Sequence, residues 1–257
     1  MASVTLNQKE WLSHLSPIST IGWNDLKVNL TESPSTIQYA IGAQTHYLSV
    51  KKDCPNGAVK KTGHLIISDL EKVCAFLKKC DGDVTFKQIT NGKTLYLVSE
   101  NIKMNLPVTD CKSSQLIPKF ERLVSEAEEN AWRTFGSDEY TVHGKAELED
   151  VLKLTSLKRL VSKDADFTIT ANAESKELSV TMGKTHDVKV FCTAKLEDTE
   201  GPEQSVRSKF GAWLLPCLSL TNSSLNTEIH FGDESGLVLE QNDDRESRLL
   251  IIVDQQG

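Results

Sequence analysis

The sequence predicts an α+β protein of two similar domains, each with two short helices packed on antiparallel sheets. Its 257 residues are enough for two domains that each bury a core. Apolar residues at helical spacing alternate along the chain with segments of alternating apolar and polar residues, which are typical of strands. A helix followed by several strands occurs four times in this order, in two pairs, and this repetition predicts the two similar halves.

The first half of the chain contains two predicted helices. The first covers residues 7–15. The second begins at Ser68, because Ser68 followed by Glu71 is the pattern of a capping box and the apolar residues after it recur at helical spacing. An Asn-Gly pair at 91–92 then predicts a hairpin turn. The strands predicted around this turn are residues 84–89, 94–98 and 102–106.

The second half repeats this order after residue 140. A helix is predicted at 146–156 and a fourth helix at Arg207–Leu215. The predicted helix starts, Asn7 and Ser68 in one half and Ala146 and Arg207 in the other, are about 61 residues apart in both halves. The strands predicted in the second half are residues 167–170, 178–181, 188–191, 227–231, 236–240 and 248–253.

A connector is predicted between the two halves. Residues 107–140 contain two prolines and an acidic run, a composition typical of a linking segment, with a short helix at 119–131. The predicted organisation is an N-terminal domain at 1–108, an interdomain connector at 109–139 and a C-terminal domain at 140–257.

Charge and composition exclude several classes of protein. No run approaches the ~20 apolar residues of a membrane-spanning helix, and no secretory signal is visible, so we expect an intracellular protein. The six cysteines lack the spacing of zinc or redox sites, so we expect reduced thiols and no metal or cofactor. A net charge of −7 means that any contact with DNA must come from a local basic surface.

No catalytic motif is present in the sequence. It has no phosphate-binding glycine loop, no Gly-x-Ser-x-Gly elbow and no histidine pair at metal-binding spacing. We therefore expect a protein without enzymatic activity, and an enzyme whose site is built only by the fold remains the alternative.

The order of the elements and several short segments resemble the two-domain DNA sliding clamps, of the proliferating cell nuclear antigen and tailed-phage types. The segments that carry the resemblance are Gly22-Trp23-Asn24, residues 44–50, residues 77–82 and the apolar last strand at 248–253. The resemblance covers most of the chain at low identity. It implies a ring whose helices line a central channel, with their apolar faces on the sheets and their polar faces toward duplex DNA.

The resemblance, together with helical spacing, assigns residues to the channel. Sliding requires attraction to phosphates without recognition of bases, and lysine is suited to that task. Lys72 and Lys79 are seven residues apart and share a helix face, whereas acidic residues on the third helix make a strongly positive channel doubtful. The residues expected to face DNA are Lys9, Lys72, Lys78, Lys79, Lys153, Lys158, Arg159, Lys163, Arg207 and Lys209.

The resemblance also implies a small apolar pocket between the domains that binds short motifs of client proteins. It would be formed by His46, Leu116, Ile117, Ile251, Ile252 and Val253. The implied partners are double-stranded DNA without sequence preference, a DNA polymerase and a clamp loader.

Two domains per chain and six per ring imply three chains, joined head to tail through edge strands. A homotrimer and one subunit of a heterotrimer both fit the sequence. A checkpoint-type or monomeric clamp-like factor and an unrelated two-domain binding protein remain as further alternatives.

Overall fold

A computed structural model describes residues 1–89, 92–108, 112–157, 160–161, 165–172, 174–183, 188–200, 205–211, 214–243 and 247–255, with backbone only at 112–114, 155 and 198–200. The chain forms two compact units. Unit 1 contains residues 1–44, 48–118 and 244–248, and unit 2 contains residues 45–47, 119–243 and 249–257. The domain boundaries predicted at 108 and 140 stay a prediction.

Unit 1 is built from two helices and two antiparallel sheets. One sheet has the order β5-β1-β7-β8-β9, and in the other β2 pairs with β3 and with β6. The two helices α1 and α2 pack against each other. The elements are β1 (Ala2–Asn7), α1 (Gln8–Thr20), β2 (Leu26–Glu32), β3 (Ser35–Gly42), β4 (His46–Asp53), β5 (Val59–Lys61), β6 (Gly63–Ile67), α2 (Leu70–Leu77), β7 (Asp83–Gln88), β8 (Thr94–Val98) and β9 (Lys103–Pro107).

Trp11 of α1 anchors the core of unit 1. Its indole is fully buried and stacks on Phe86 of β7, with ring centroids 3.9 Å apart. The indole N–H donates to the Val84 carbonyl oxygen over 2.9 Å, so the one polar atom of the side chain is satisfied. The apolar face of α1 is thereby fixed to the sheet, and Lys9 and Ser13 on the same helix remain exposed.

The helix α3 (Lys112–Glu129) begins in unit 1, continues into unit 2 from residue 119, and replaces the predicted short helix at 119–131. It begins earlier than predicted and continues through Pro118. Gly42 permits its close approach to β3, because a Cβ at Gly42 would lie 3.2 Å from both the Ile117 nitrogen and the Leu116 Cβ. Ile117 is fully buried at this contact. Tertiary packing therefore overrides the weak helical preference of the segment.

After a short two-stranded hairpin at residues 134–139, unit 2 repeats the element order of unit 1: a strand, a helix, a run of strands, a helix and three strands. Its large antiparallel sheet has the order β16-β13-β14-β15-β12-β17-β18-β19, and α4 packs against β15. The elements are β10 (Thr134–Phe135), β11 (Asp138–Glu139), β12 (Val142–Ala146), α4 (Glu149–Leu157), β13 (Phe167–Ala171), β14 (Glu177–Met182), β15 (Val190–Glu200), β16 (Val206–Phe210), α5 (Leu214–Leu218), β17 (Thr227–Phe231), β18 (Leu237–Asn242) and β19 (Arg248–Val253).

The α+β prediction of two similar halves is confirmed by these elements. Strands β8, β17 and β19 have the predicted bounds, and the two helices start 62 residues apart in unit 1, at 8 and 70, and 65 apart in unit 2, at 149 and 214. The predicted turn at 91–92 falls partly outside the described residues. The predicted cap Ser68 is wrong by one residue, because the Asp69 side chain accepts from the Lys72 backbone N–H over 3.0 Å and caps α2.

The fourth helix was predicted in the wrong place. Residues 206–210 form the strand β16, in which Val206, Ser208 and Phe210 are buried and alternate with exposed Arg207 and Lys209. This period of two is that of a strand with one buried face. The helix α5 starts after it, at Leu214, and Pro216 lies in its first turn, where a missing N–H disrupts no helical bond.

Candidate nucleic-acid interface and partner site

The helix α2 carries the most basic exposed surface among the predicted DNA-facing residues. Its apolar residues Leu70, Val73 and Leu77 are buried, and Lys72, Lys78 and Lys79 are exposed on and just after the helix. Lys9, at the start of α1, is also exposed. These four lysines lie at the surface of unit 1, as helical spacing predicts.

The lysines of α2 differ in their electrostatic partners. The Lys72 ammonium lies 2.6 Å from the Asp69 carboxylate, and this hydrogen-bonded ion pair raises the pKa of Lys72 and lowers that of Asp69. Lys78 and Lys79 form no ion pair with any described residue. Their full positive charge is therefore available to an incoming phosphate, whereas that of Lys72 is partly neutralised.

The helix α4 presents a different surface. Lys153 lies 2.6 Å from the Asp150 carboxylate and 3.6 Å from that of Glu149, and the hydrogen bond to Asp150 raises its pKa. Glu147 is exposed just before the helix. The sum of these charges is negative, so the α4 surface repels phosphate at long range. The ion pairs follow the i,i+3 and i,i+4 spacing and were visible in the sequence.

The other predicted cationic residues have different outcomes. Lys158, Arg159 and Lys163 lie outside the described residues. Arg207 and Lys209 lie on the strand β16 and not on a helix, which removes the reason for placing them in a helix-lined channel. The Arg207 backbone N–H donates to Asp233 over 2.9 Å, which fixes the start of this strand.

The residues predicted to bind partners fall into two groups. His46 is buried, and this burial lowers its pKa. Just before it, the Thr45 carbonyl oxygen accepts from the Asp254 N–H over 2.7 Å, which holds the end of β19 beside His46. Ile251, Ile252 and Val253 of that strand are buried. The second group, Leu116 and Ile117, packs on Gly42 of unit 1. Their joint role in a client pocket stays a prediction.

Two apolar features were missed by the sequence analysis. Tyr47 is buried and stacks on Phe120 of α3, with ring centroids 5.1 Å apart. Phe191 of β15 is 74% exposed, and Val188 just before that strand is 62% exposed. Large apolar side chains this exposed on a strand are typical of an interaction surface. The alternating pattern of residues 188–191 predicted the strand but not which of its faces would be exposed to solvent.

Among the strand edges without a partner in the described part of the chain are those of β9 and β15. β9 is the last strand of its sheet and pairs only with β8. In β15, Val190 to Lys195 pair with β14, and the partner strand β12 begins only at Leu196. An exposed edge presents free backbone N–H and C=O groups that pair readily with a strand of another chain.

The described residues contain no group of three or more His, Cys, Asp or Glu side chains arranged to hold a metal ion. Their five cysteines are free thiols. None of the helices within the described ranges combines the length and the apolar character that crossing a membrane requires.

Solved structures similar to this chain are DNA sliding clamps. PCNA from Thermococcus kodakaraensis is 14% identical with a TM-score of 0.65, and the alignment covers 100% of both chains. A. fulgidus PCNA, solved with the C-terminal region of FEN-1, is 12% identical with a TM-score of 0.64 and coverage of 100% and 99%. By sequence, neither a family model nor a curated protein matches the chain.

The Helicobacter pylori beta clamp, solved with a DNA ligase peptide, is 10% identical with a TM-score of 0.67 over 98% of this chain and 66% of that one. Likeness over the whole length to these structures, at identities of 10–14%, shows the fold. The chain has the fold of the DNA sliding clamps. The two PCNA structures match it over the full length of both chains or nearly so.

Proposed function

We propose that this chain is a subunit of a DNA sliding clamp, a non-enzymatic ring that encircles duplex DNA inside the cell and tethers a DNA polymerase and other replication proteins. The observation that carries the proposal is the clamp fold over the full length of the chain, matched end to end by PCNA. The proposed partners agree with the structures solved with the C-terminal region of FEN-1 and with a DNA ligase peptide.

The unpaired edges of β9 and β15 support a head-to-tail assembly. The β9 edge of one copy and the Val190–Lys195 edge of the next would pair, which is a heterologous contact that closes into a ring if the rotation permits. Two units per chain give three copies for six domains. Pairing would also cover Phe191, whose exposure is costly for an isolated chain. We therefore propose a homotrimer loaded onto DNA by a clamp loader.

The lysine distribution supports a sequence-independent contact with DNA. Lys78 and Lys79 combine high exposure with unneutralised charge, and flexible ammonium groups attract phosphates without reading bases. In this proposal the exposed surface of α2 faces the duplex, with Lys9 and Lys72 beside it. The acidic surface of α4 keeps the attraction weak, which suits a ring that has to slide.

Assembly is tested by light scattering after size exclusion. We expect the mass of three chains for the unmodified protein and a smaller mass for Phe191→Asp, because a charge at the edge opposes pairing. Ile89→Asp is the matched control, since Ile89 is 57% exposed but lies at neither unpaired edge. A concentration-independent monomer mass for the unmodified chain would contradict the homotrimer.

Encirclement is tested on DNA topology. The protein is loaded with its loader onto a nicked circular plasmid, and its retention is measured before and after the plasmid is linearised. A ring should remain on the circle and leave the linear molecule by sliding off its ends. Equal retention on the two forms would mean that the protein binds DNA without encircling it, and the proposal would fail.

A further inference from the structure

Two histidines of unit 2 lie directly opposite each other on neighbouring strands. His143 of β12 and His230 of β17 are register partners, and their Nδ1 atoms are 3.1 Å apart. The Nε2 atom of His143 lies 3.0 Å from the Tyr140 carbonyl oxygen. None of the residues of this cluster is among the lysines and the edge residues that carry the proposed function.

The hydrogen bonds determine where the protons of a neutral pair reside. A carbonyl oxygen only accepts, so His143 donates from Nε2 to Tyr140 and its Nδ1 atom holds a lone pair. His230 must then donate from Nδ1, which leaves a lone pair on its own Nε2. That Nε2 atom is buried and has no hydrogen-bond partner among the described residues. One proton thus lies between two imidazoles, each of which can act as a metal ligand.

Trp132 covers the pair. Its indole stacks on the His230 ring with centroids 5.5 Å apart and an interplanar angle of 12°. The turn that holds it is strained, because Ala131 and Trp132 have φ of 54° and 59°, in the left-handed region that residues with a Cβ rarely adopt. Asn130 stabilises this turn by accepting from the Arg133 N–H over 2.9 Å. The cluster is therefore a built and supported arrangement.

We propose that His143 and His230 form a two-imidazole site for a divalent transition-metal ion of the zinc, nickel or copper class. With metal–nitrogen bonds of about 2.0–2.1 Å, two nitrogens on one tetrahedral ion lie about 3.3 Å apart, close to the observed 3.1 Å. The hydrogen bond from His143 Nε2–H to the Tyr140 carbonyl oxygen is of the kind that fixes the orientation and tautomer of a metal-bound histidine. Imidazole is the side chain that these metals favour.

Metal binding moves one proton within the pair. The ion takes the lone pair of His143 Nδ1, and the proton on His230 Nδ1 moves to the bare Nε2 of the same ring. This frees the Nδ1 lone pair of His230 for the ion and leaves both rings neutral. Both rings are neutral in the arrangement of protons described above, and neutral imidazole is the form that binds a metal ion. The chain supplies two ligands, and water completes the coordination.

The test uses the full-length chain without a histidine tag and nickel chloride as the probe. Calorimetry measures binding, and tryptophan fluorescence reports it independently, because a nickel ion at the pair would quench the adjacent Trp132. The variants are His143→Gln and His230→Gln. The control is His64→Gln, at a histidine that is exposed to solvent. Circular dichroism checks that each variant is folded.

We expect one nickel ion per chain with quenching, and affinity lowered at least about tenfold in either variant, the smallest loss typical of disturbing a metal-bound histidine. His64→Gln should bind as the unmodified chain does. Undiminished affinity in folded His143→Gln, or no saturable binding by the unmodified chain, would overturn the proposal. If a variant does not fold, the unmodified chain labelled with ¹⁵N-histidine is titrated with zinc sulfate and followed by NMR. Shifts at Nδ1 of both rings support the site, and shifts confined to other histidines reject it.

Discussion

The contrast between α2 and α4 gives the sharpest test of how this chain contacts DNA. The perturbation is the double substitution Lys78→Ala with Lys79→Ala, compared with Lys153→Ala. The first removes two exposed charges that have no ion-pair partner among the described residues. The second removes a charge that Asp150 holds at 2.6 Å. The proposed interface requires the first to weaken DNA binding much more than the second.

The magnitude follows from counterion release. Each phosphate neutralised on duplex DNA contributes about 0.9 to the slope of log K against log salt concentration. Two lost contacts should lower that slope by about 1.8. The ratio of the DNA-binding constant of the unmodified chain to that of the double variant should therefore fall about 12-fold between 50 and 200 mM salt. Lys153→Ala should change the slope by well under 0.9, because its charge is already paired.

The assay is fluorescence anisotropy of a short labelled duplex, titrated with each variant over a series of sodium chloride concentrations. The matched control is Lys60→Ala with Lys61→Ala, which removes two adjacent exposed lysines from the strand β5 and the same net charge. Comparison with this control separates a local contact from a change in total charge.

Two outcomes would refute the assignment of α2. One is a slope for the Lys78 and Lys79 double variant equal to that of the Lys60 and Lys61 control. The other is a larger reduction for Lys153→Ala than for the α2 double variant. Either outcome would mean that a different surface binds the DNA phosphates. The sliding-clamp proposal would then lose its electrostatic support, although the assignment of the fold would be unaffected.

Two further predictions concern stability. Trp11→Phe should lower the free energy of unfolding, measured by urea titration, by about 1–3 kcal/mol, because the buried Val84 carbonyl loses its hydrogen-bond donor. Unchanged stability would show that water replaces the indole N–H. Burial lowers the pKa of His14 to about 4, below its usual 6.5, so its contribution to stability is complete above pH 6.5 and declines as the pH falls toward 4. His14→Gln should flatten this decline, and an identical pH profile would contradict the burial of a neutral ring.

The sequence predicted the elements whose signal is local. β8, β17 and β19 have the predicted bounds because alternating residues with one buried face define a strand without reference to the rest of the fold. The fourth helix failed for a related reason. Arg207 and Lys209 were placed on a helix, although the alternation of Val206, Ser208 and Phe210 has the period of a strand. The segment was mispredicted because a helical spacing was chosen where the residues alternate with a period of two.

Other features depend on pairing between distant residues. His143 and His230 are 87 positions apart and meet only through the register of β12 and β17. The unpaired edge of β15 depends likewise on where β12 begins to pair. The neutralisation of Lys153, by contrast, follows from residues three and four positions before it, so the sequence contained that information. Spacing placed Lys72 and Lys153 on exposed helix faces, as the structure has them, but it did not rank the lysines by available charge.

A net charge of −7 and a role on DNA are compatible if attraction is confined to a small area. In the proposed ring each copy contributes one α2 surface, so a few unpaired lysines recur at regular intervals around the duplex. Each contact with phosphate is weak, screened by salt and independent of sequence. Three such contacts hold the duplex away from the acidic α4 surfaces, and none is strong enough to fix the ring at one site. Retention then comes from closure of the ring, and the charges serve only to position the DNA within it.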